Sequence, residues 1–157
     1  MRANWTILPI LALCAACAGA PAPKSPSAPR SPLDLLKARE PGTEWRQGNS
    51  LEADLDQDGV KDFAFTGIRQ DRFLVGIVQG PVKADSQVWT LDFPWHGGED
   101  GLCSKEARIT LEPLEENEGP TSKGPRKGLG INLHDDQCDA FHIAWNPDDR
   151  KFEWWRL

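Results

Sequence analysis

FAFTGIRQDRFLVGIVQ, the stretch Phe63–Gln79, decides the fold of this 157-residue chain. Phe63 and Phe65 fall on one face of a first strand, and the alternate apolar residues of Phe73–Ile77 fall on one face of a second. A polar pair separates these two runs. We therefore predict a β-hairpin that turns around Gln70–Asp71.

Further segments alternate apolar and polar residues in the same way, at positions 88–93, 107–111, 129–133, 141–145 and 152–157. Clean alternation is typical of antiparallel sheet with one buried face. About seven strands in roughly 115 residues predict an all-β domain, built as a small sandwich or an open barrel-like sheet. A short helix is expected at 33–39, entered at Ser31-Pro32 and ended near Pro41-Gly42.

An acidic loop, DLDQDGVKD, runs from position 54 to 62 and leads directly into the hairpin. Calcium prefers oxygen ligands at about 2.3–2.6 Å, and carboxylates at positions one, three, five and nine of a tight loop can converge on one ion. We predict a Ca²⁺ site made of the side chains of Asp54, Asp56, Asp58 and Asp62 and the backbone carbonyl of Val60. The alternative is an acidic turn that binds no metal.

The acidic loop resembles the calcium loop of FG-GAP and related VCBS-like repeats, which occur in extracellular β-propellers and in secreted bacterial proteins. The matching residues are Asp54, Asp56, Asp58, Gly59 and Asp62, followed by an apolar strand. The chain has one good copy, so the resemblance implies the calcium loop and not a propeller. An EF-hand is excluded, because the twelfth loop position is a phenylalanine where a bidentate glutamate is needed.

Residues 1–16 have the features of a signal peptide, with a basic start and a short apolar stretch at 7–13. That stretch is shorter than the roughly 20 residues that a membrane span needs. Ala15-Ala16-Cys17 resembles the lipobox of bacterial lipoproteins, which implies that Cys17 becomes the lipidated first residue. The alternative is a plain secretory signal that is cleaved a few residues away.

The predicted mature chain divides into a tether and a folded domain. Residues 17–42 are rich in Pro, Ser and Ala and should form a tether that includes the short helix, and 43–157 should form the β domain.

Ala18 is not the aspartate that marks inner-membrane retention, so the lipoprotein resemblance implies the outer membrane of a bacterial envelope. A formal net charge of −6 argues against nucleic acid as a partner. Membrane attachment would come from the acyl chains alone.

Two cysteines, Cys103 and Cys138, lie in the predicted β domain. In an oxidising envelope compartment such a pair most often forms a disulfide. The alternative is a zinc site from His134, Cys138 and His142, although the sequence offers no obvious fourth ligand.

The chain has seven tryptophans and no tyrosine, and Trp154 and Trp155 are adjacent. Neighbouring strand residues point to opposite faces, so we expect one of this pair to be exposed, or to be covered by loops or by a partner. An exposed tryptophan can stack on a sugar ring or anchor a protein contact, so Trp95 and Trp155 are candidate ligand-binding residues.

The sequence contains no nucleophile elbow, no H-E-x-x-H zinc motif and no phosphate-binding glycine loop. We predict a non-enzymatic binding or structural module whose partner is an envelope protein or a glycan. The alternatives are a glycan-binding module that uses an exposed tryptophan, and a hydrolase.

Overall fold

The computed structural model describes residues 31–95, 101–115 and 128–156. The signal peptide predicted at 1–16, the lipidation predicted at Cys17 and most of the tether lie outside the described residues. The described part forms one helix and eight strands: α1 Pro32–Arg39, β1 Glu44–Ala53, β2 Asp62–Arg69, β3 Arg72–Val78, β4 Val88–Pro94, β5 Arg108–Pro113, β6 Leu129–His134, β7 Phe141–Asn146 and β8 Lys151–Arg156.

The strands form two antiparallel sheets whose order follows the chain, sheet A with β1 to β4 and sheet B with β5 to β8. The predicted all-β sandwich is confirmed, and the predicted hairpin is β2–β3, with Arg69 opposite Arg72. The eighth strand, β1, was not predicted. Its sequence EWRQGNSLEA has few apolar residues, and its register shifts between Arg46 and Ser50, so it shows no clear alternation.

The main core lies between the two sheets. The hairpin contributes Phe73, Val75 and Ile77, which are fully or almost fully buried, and sheet B contributes residues such as Ile131 and Phe141. Burial of these apolar side chains is the main force that holds the sheets face to face.

A second apolar cluster covers the outer face of sheet A. Helix α1 buries Leu33, Leu35 and Leu36 there, against sheet residues that include Leu74 and Val78. Strand β3 is therefore buried on both faces, whereas the sequence predicted one buried face. The helix also belongs to the folded domain, although the sequence predicts it as part of the tether.

Two glycines of sheet A allow this helix and the ring of Trp45 to approach the sheet. A Cβ atom at Gly76 would lie 2.5 Å from Leu36 Cδ2 and 2.5 Å from the Trp45 ring. A Cβ atom at Gly67 would lie 2.7 Å from Thr43 Cγ2. Neither position has room for a side chain.

Candidate metal centre

The loop between β1 and β2 brings three carboxylates together. Asp54, Asp56 and Asp58 each offer one oxygen, and these oxygens all lie within 4.8 Å of one another. Three oxygens at this separation can share one hard cation of the size of calcium. The structure thus groups three of the four predicted carboxylate ligands.

Backbone donors of the loop hold these carboxylates in place. The N–H of Gly59 donates to Asp54 Oδ2 at 3.1 Å, and the N–H of Asp58 donates to Asp56 Oδ1 at 3.1 Å. The N–H of Val60 donates to Asp58 Oδ1 at 2.8 Å. Gly59 has a φ of 87°, a conformation that glycine adopts without steric cost. The loop is therefore shaped by its own hydrogen bonds.

A buried oxygen of the group lacks a hydrogen-bond donor. Asp54 Oδ1 is buried and has no hydrogen-bond partner among the residues that the structure describes. A buried carboxylate oxygen without a partner is costly. A cation between the three carboxylates would supply that partner, so the residues present fit a divalent ion with oxygen ligands.

The electrostatics of Asp56 also favour a cation. Burial raises the pKa of Asp56 above its ordinary value, and the charges of Asp58 and Asp54 raise it further. The N–H of Asp58 and the side chain of Gln79 act in the opposite direction. Keeping the Asp56 carboxylate ionised in the folded loop therefore costs free energy, and a bound cation would offset that cost.

Asp62, predicted as the ninth-position ligand, does not join the three other carboxylates. Its side chain is buried; Oδ2 accepts the N–H groups of Leu55 and Asp56 at 3.0 and 3.1 Å, and Oδ1 accepts that of Gly80 at 3.0 Å. Burial raises the pKa of Asp62, and these backbone donors oppose the rise. Asp62 thus joins the start of the acidic loop to the β3–β4 connection. The Val60 carbonyl stays a predicted ligand.

The predicted cysteine pairing is confirmed, because Cys103 and Cys138 form a disulfide with a Cα–Cα distance of 5.9 Å. The alternative zinc site is not formed. His134 Nδ1 lies 3.1 Å from Asp136 Oδ1, and His142 Nδ1 lies 2.9 Å from Glu112 Oε1.

The two adjacent tryptophans of β8 point to opposite faces, as predicted, and the outer one is covered rather than exposed. Trp154 packs against the core, and Trp155 lies on the other face of β8, where it stacks on His142. Trp155 is only 7% exposed, although it lies on the outer face of sheet B. Trp95 is partly buried, with Lys105 Nζ 3.7 Å from its ring centroid. The Trp155 ring is therefore not an open platform for a sugar, and Trp95 stays a candidate ligand-binding residue.

The outer face of sheet B carries a polar group that no sequence pattern indicates. Glu112 on β5 accepts a hydrogen bond from Asn132 on β6 at 3.1 Å and pairs with His142 on β7. A carboxylate can orient an imidazole in this way. Among the residues that the structure describes, no serine, threonine or cysteine side chain hydrogen-bonds to this pair.

No protein-family model, curated protein or solved structure matches this chain. The resemblance to FG-GAP loops therefore rests on the loop residues themselves. In the part of the chain that the structure describes, no helix is long and apolar enough to span a membrane.

Proposed function

We propose that this protein is a non-enzymatic β domain that is stabilised by calcium. We propose further that a lipid on Cys17 attaches it to a membrane of the bacterial envelope, and that this membrane is the outer one. One observation supports the calcium part: Asp54, Asp56 and Asp58 each bring one carboxylate oxygen within 4.8 Å of the others. The anchor part is supported by the lipobox-like residues before Cys17. The domain would act as a binding or structural module for an envelope partner.

The donor set favours calcium over other common cations. Zinc prefers nitrogen and sulfur ligands, whereas the three converging groups here are all carboxylates. Magnesium requires near-octahedral geometry and keeps most of its waters, whereas calcium accepts several protein oxygens in irregular arrangements. Exposed Asp58 places the group at the surface, where an ion can reach it.

A bound ion would stabilise the native state, because the three carboxylates converge only in the folded loop. The gain is RT ln(1 + [Ca²⁺]/Kd). With a Kd of about 10⁻⁴–10⁻³ M, a few millimolar calcium adds roughly 1–2 kcal/mol to the free energy of unfolding.

Thermal unfolding in a chelator and in a few millimolar calcium tests the proposal. We expect calcium to raise the melting temperature by about 4–8 °C for each kcal/mol gained in a domain of this size. Asp58→Asn should abolish the shift. Asp71→Asn, which removes the same charge in the β2–β3 turn, should keep it. A wild-type melting temperature that is equal in chelator and calcium would overturn the proposal.

A further inference from the structure

We propose that strand β4 is a pairing edge to which a second copy of this chain adds its own β4, antiparallel and about a twofold axis beside Thr90. The two copies of sheet A would then form one continuous sheet across the dimer. This inference concerns the edge of sheet A and depends on neither the calcium site nor the lipid anchor proposed above.

Strand β4 is an edge strand, because among the described strands it pairs with β3 alone. The N–H of Gln79 donates to the carbonyl of Gln87 at 2.9 Å, and this pair continues the β3–β4 ladder. Hydrogen-bonded pairs alternate along an antiparallel ladder, so the odd-numbered residues of β4 bond to β3. The even-numbered residues therefore point their backbone groups away from the sheet; these are Val88, Thr90, Asp92 and Pro94.

One end of this edge is already covered. The carbonyl of Pro94 accepts the N–H of Leu102 at 2.8 Å, which agrees with an outward direction for the even-numbered residues. Arg72 Nη2 donates to the carbonyl of Asp92 at 3.4 Å, a long bond that leaves a lone pair for a second donor. Among the described residues, no other hydrogen bond reaches the outward-facing backbone groups of 88–92, so this stretch is open.

The other edge strands are protected. Asn49 joins the edges of β1 and β5, because its side-chain amide donates to the Ala107 carbonyl at 3.1 Å and accepts the Ile109 N–H at 3.0 Å. Strand β8, KFEWWR, carries three charged residues, whereas β4, VWTLDFP, carries one, Asp92, which pairs with Arg72. Natural sheets protect exposed edges with charges, bulges or covering segments. An apolar edge without such protection is typical of a strand that pairs with another chain.

The side chains of β4 also lack cover along the open stretch. Trp89 and Leu91 pack against the core between the sheets, yet both are only partly buried, whereas Phe93 on the same face is fully buried. A strand added at this edge would lie beside Trp89 and Leu91 and remove apolar surface from water. That burial would stabilise the pairing in addition to the backbone hydrogen bonds.

The open stretch is complementary to itself in one register. With Thr90 opposite Thr90 of the second copy, Val88 of each copy faces Asp92 of the other, so every open residue has a partner and each facing pair exchanges two N–H···O bonds. Trp89 then lies opposite Leu91 of the second copy, in a non-hydrogen-bonded pair whose side chains are closer. Every other antiparallel register pairs fewer of the open residues, and centring on Asp92 also puts two carboxylates face to face. The open stretch therefore fits a second copy.

Sedimentation velocity of the purified full chain over a series of concentrations tests the proposal. We expect the weight-average mass of the wild type to rise about twofold, from monomer to dimer. Thr90→Pro should keep the monomer mass, because it removes an N–H that the second copy uses and leaves the bonds to β3 intact. Leu111→Pro is the matched control: residue 111 faces outward on β5, as the Ile109 N–H does, so the same change at another edge should leave the dimer in place.

Chemical cross-linking tests the register. In the proposed dimer the two Thr90 Cα atoms lie about 5.5 Å apart, whereas the two Val88 residues are separated by four residues along the strand, about 13 Å. A bis-methanethiosulfonate reagent with a two-carbon spacer should therefore link Thr90→Cys into a dimer on a non-reducing gel and leave Val88→Cys at the wild-type level. Far-ultraviolet circular dichroism checks that each variant is folded. If Thr90→Pro does not fold, the two cysteine variants decide.

The outcomes are distinct. A dimer that is lost in Thr90→Pro and kept in Leu111→Pro supports the proposal, as does cross-linking of Thr90→Cys alone. A wild type that keeps the monomer mass at every concentration would overturn it and leave the β4 edge to an extended segment of another protein. A dimer that persists in folded Thr90→Pro, its loss in both proline variants, or equal cross-linking of the two cysteine variants would overturn it as well.

Discussion

The carboxylate of Asp135 accepts the backbone N–H of Cys103 at 2.6 Å and that of Cys138 at 2.9 Å, the two residues that the disulfide joins. It also accepts the N–H groups of Ser104 and Gln137. Burial acts to raise the pKa of Asp135, but these four donors together hold it below its ordinary value. One carboxylate and one disulfide therefore fix the same two segments.

The lowered pKa of Asp135 makes its contribution depend on pH. A carboxyl group with a folded pKa below its unfolded value stabilises the protein above the unfolded value, here 3.8, and loses that contribution as pH falls through the folded pKa. Asp135→Asn should cost about 1–3 kcal/mol at pH 7, because buried donors lose their charged acceptor.

Urea unfolding of the wild type and Asp135→Asn at pH 7 and at pH 3 measures this effect. The stability gap should be largest at pH 7 and smaller at pH 3. The raised pKa values of Asp56 and Asp62 are common to both proteins and cancel in the comparison. A gap of equal size at both pH values would contradict the prediction.

Gly76 should not tolerate a side chain. The added methyl of Gly76→Ala would press on Leu36 and the Trp45 ring, both buried, and should lower stability by about 1–3 kcal/mol through overpacking. Gly48→Ala is the control, since a Cβ there meets no atom within 4 Å. Denaturant titration measures both; equal effects would show that α1 does not pack as described.

The Glu112–His142 pair should be energetically coupled. Its side chains are only 18% and 14% exposed, so solvent screens the pair weakly. A double-mutant cycle with Glu112→Gln and His142→Asn should give a coupling of about 0.5–2 kcal/mol. The exposed Lys61–Glu52 pair, at 69% and 53%, serves as the comparison and should give a coupling near zero. Equal coupling in the two pairs would refute this expectation.

Cys17 should decide where the protein is found. If acyl chains alone anchor the protein, Cys17→Ser should move it from the membrane fraction to the soluble fraction of its bacterial host. Fractionation followed by immunoblotting measures this. A Cys17→Ser protein that still needs detergent for extraction would exclude the lipid anchor.

The sequence by itself determined the elements with a strong local signal. Two apolar runs on either side of the polar pair Gln70–Asp71 were enough for the hairpin, because such runs form paired strands joined by a tight turn. Ser31-Pro32 marked the start of the helix. A serine N-cap accepts a backbone N–H of the first turn, and a proline there has no N–H that would need an acceptor. The spacing of the acidic residues was enough to bring three carboxylates together within one loop.

Only the tertiary structure decided which partners those elements meet. The hydrogen bond from the Gly80 N–H to Asp62 joins positions 18 residues apart, and that from Gln79 to Asp56 joins positions 23 residues apart. No local pattern in the sequence reports such contacts. The burial of Trp155 and the cover of sheet A by α1 likewise depend on what packs on an outer face. Periodicity reveals which residues share a face of a strand. Which other segment of the protein covers that face is set by long-range packing.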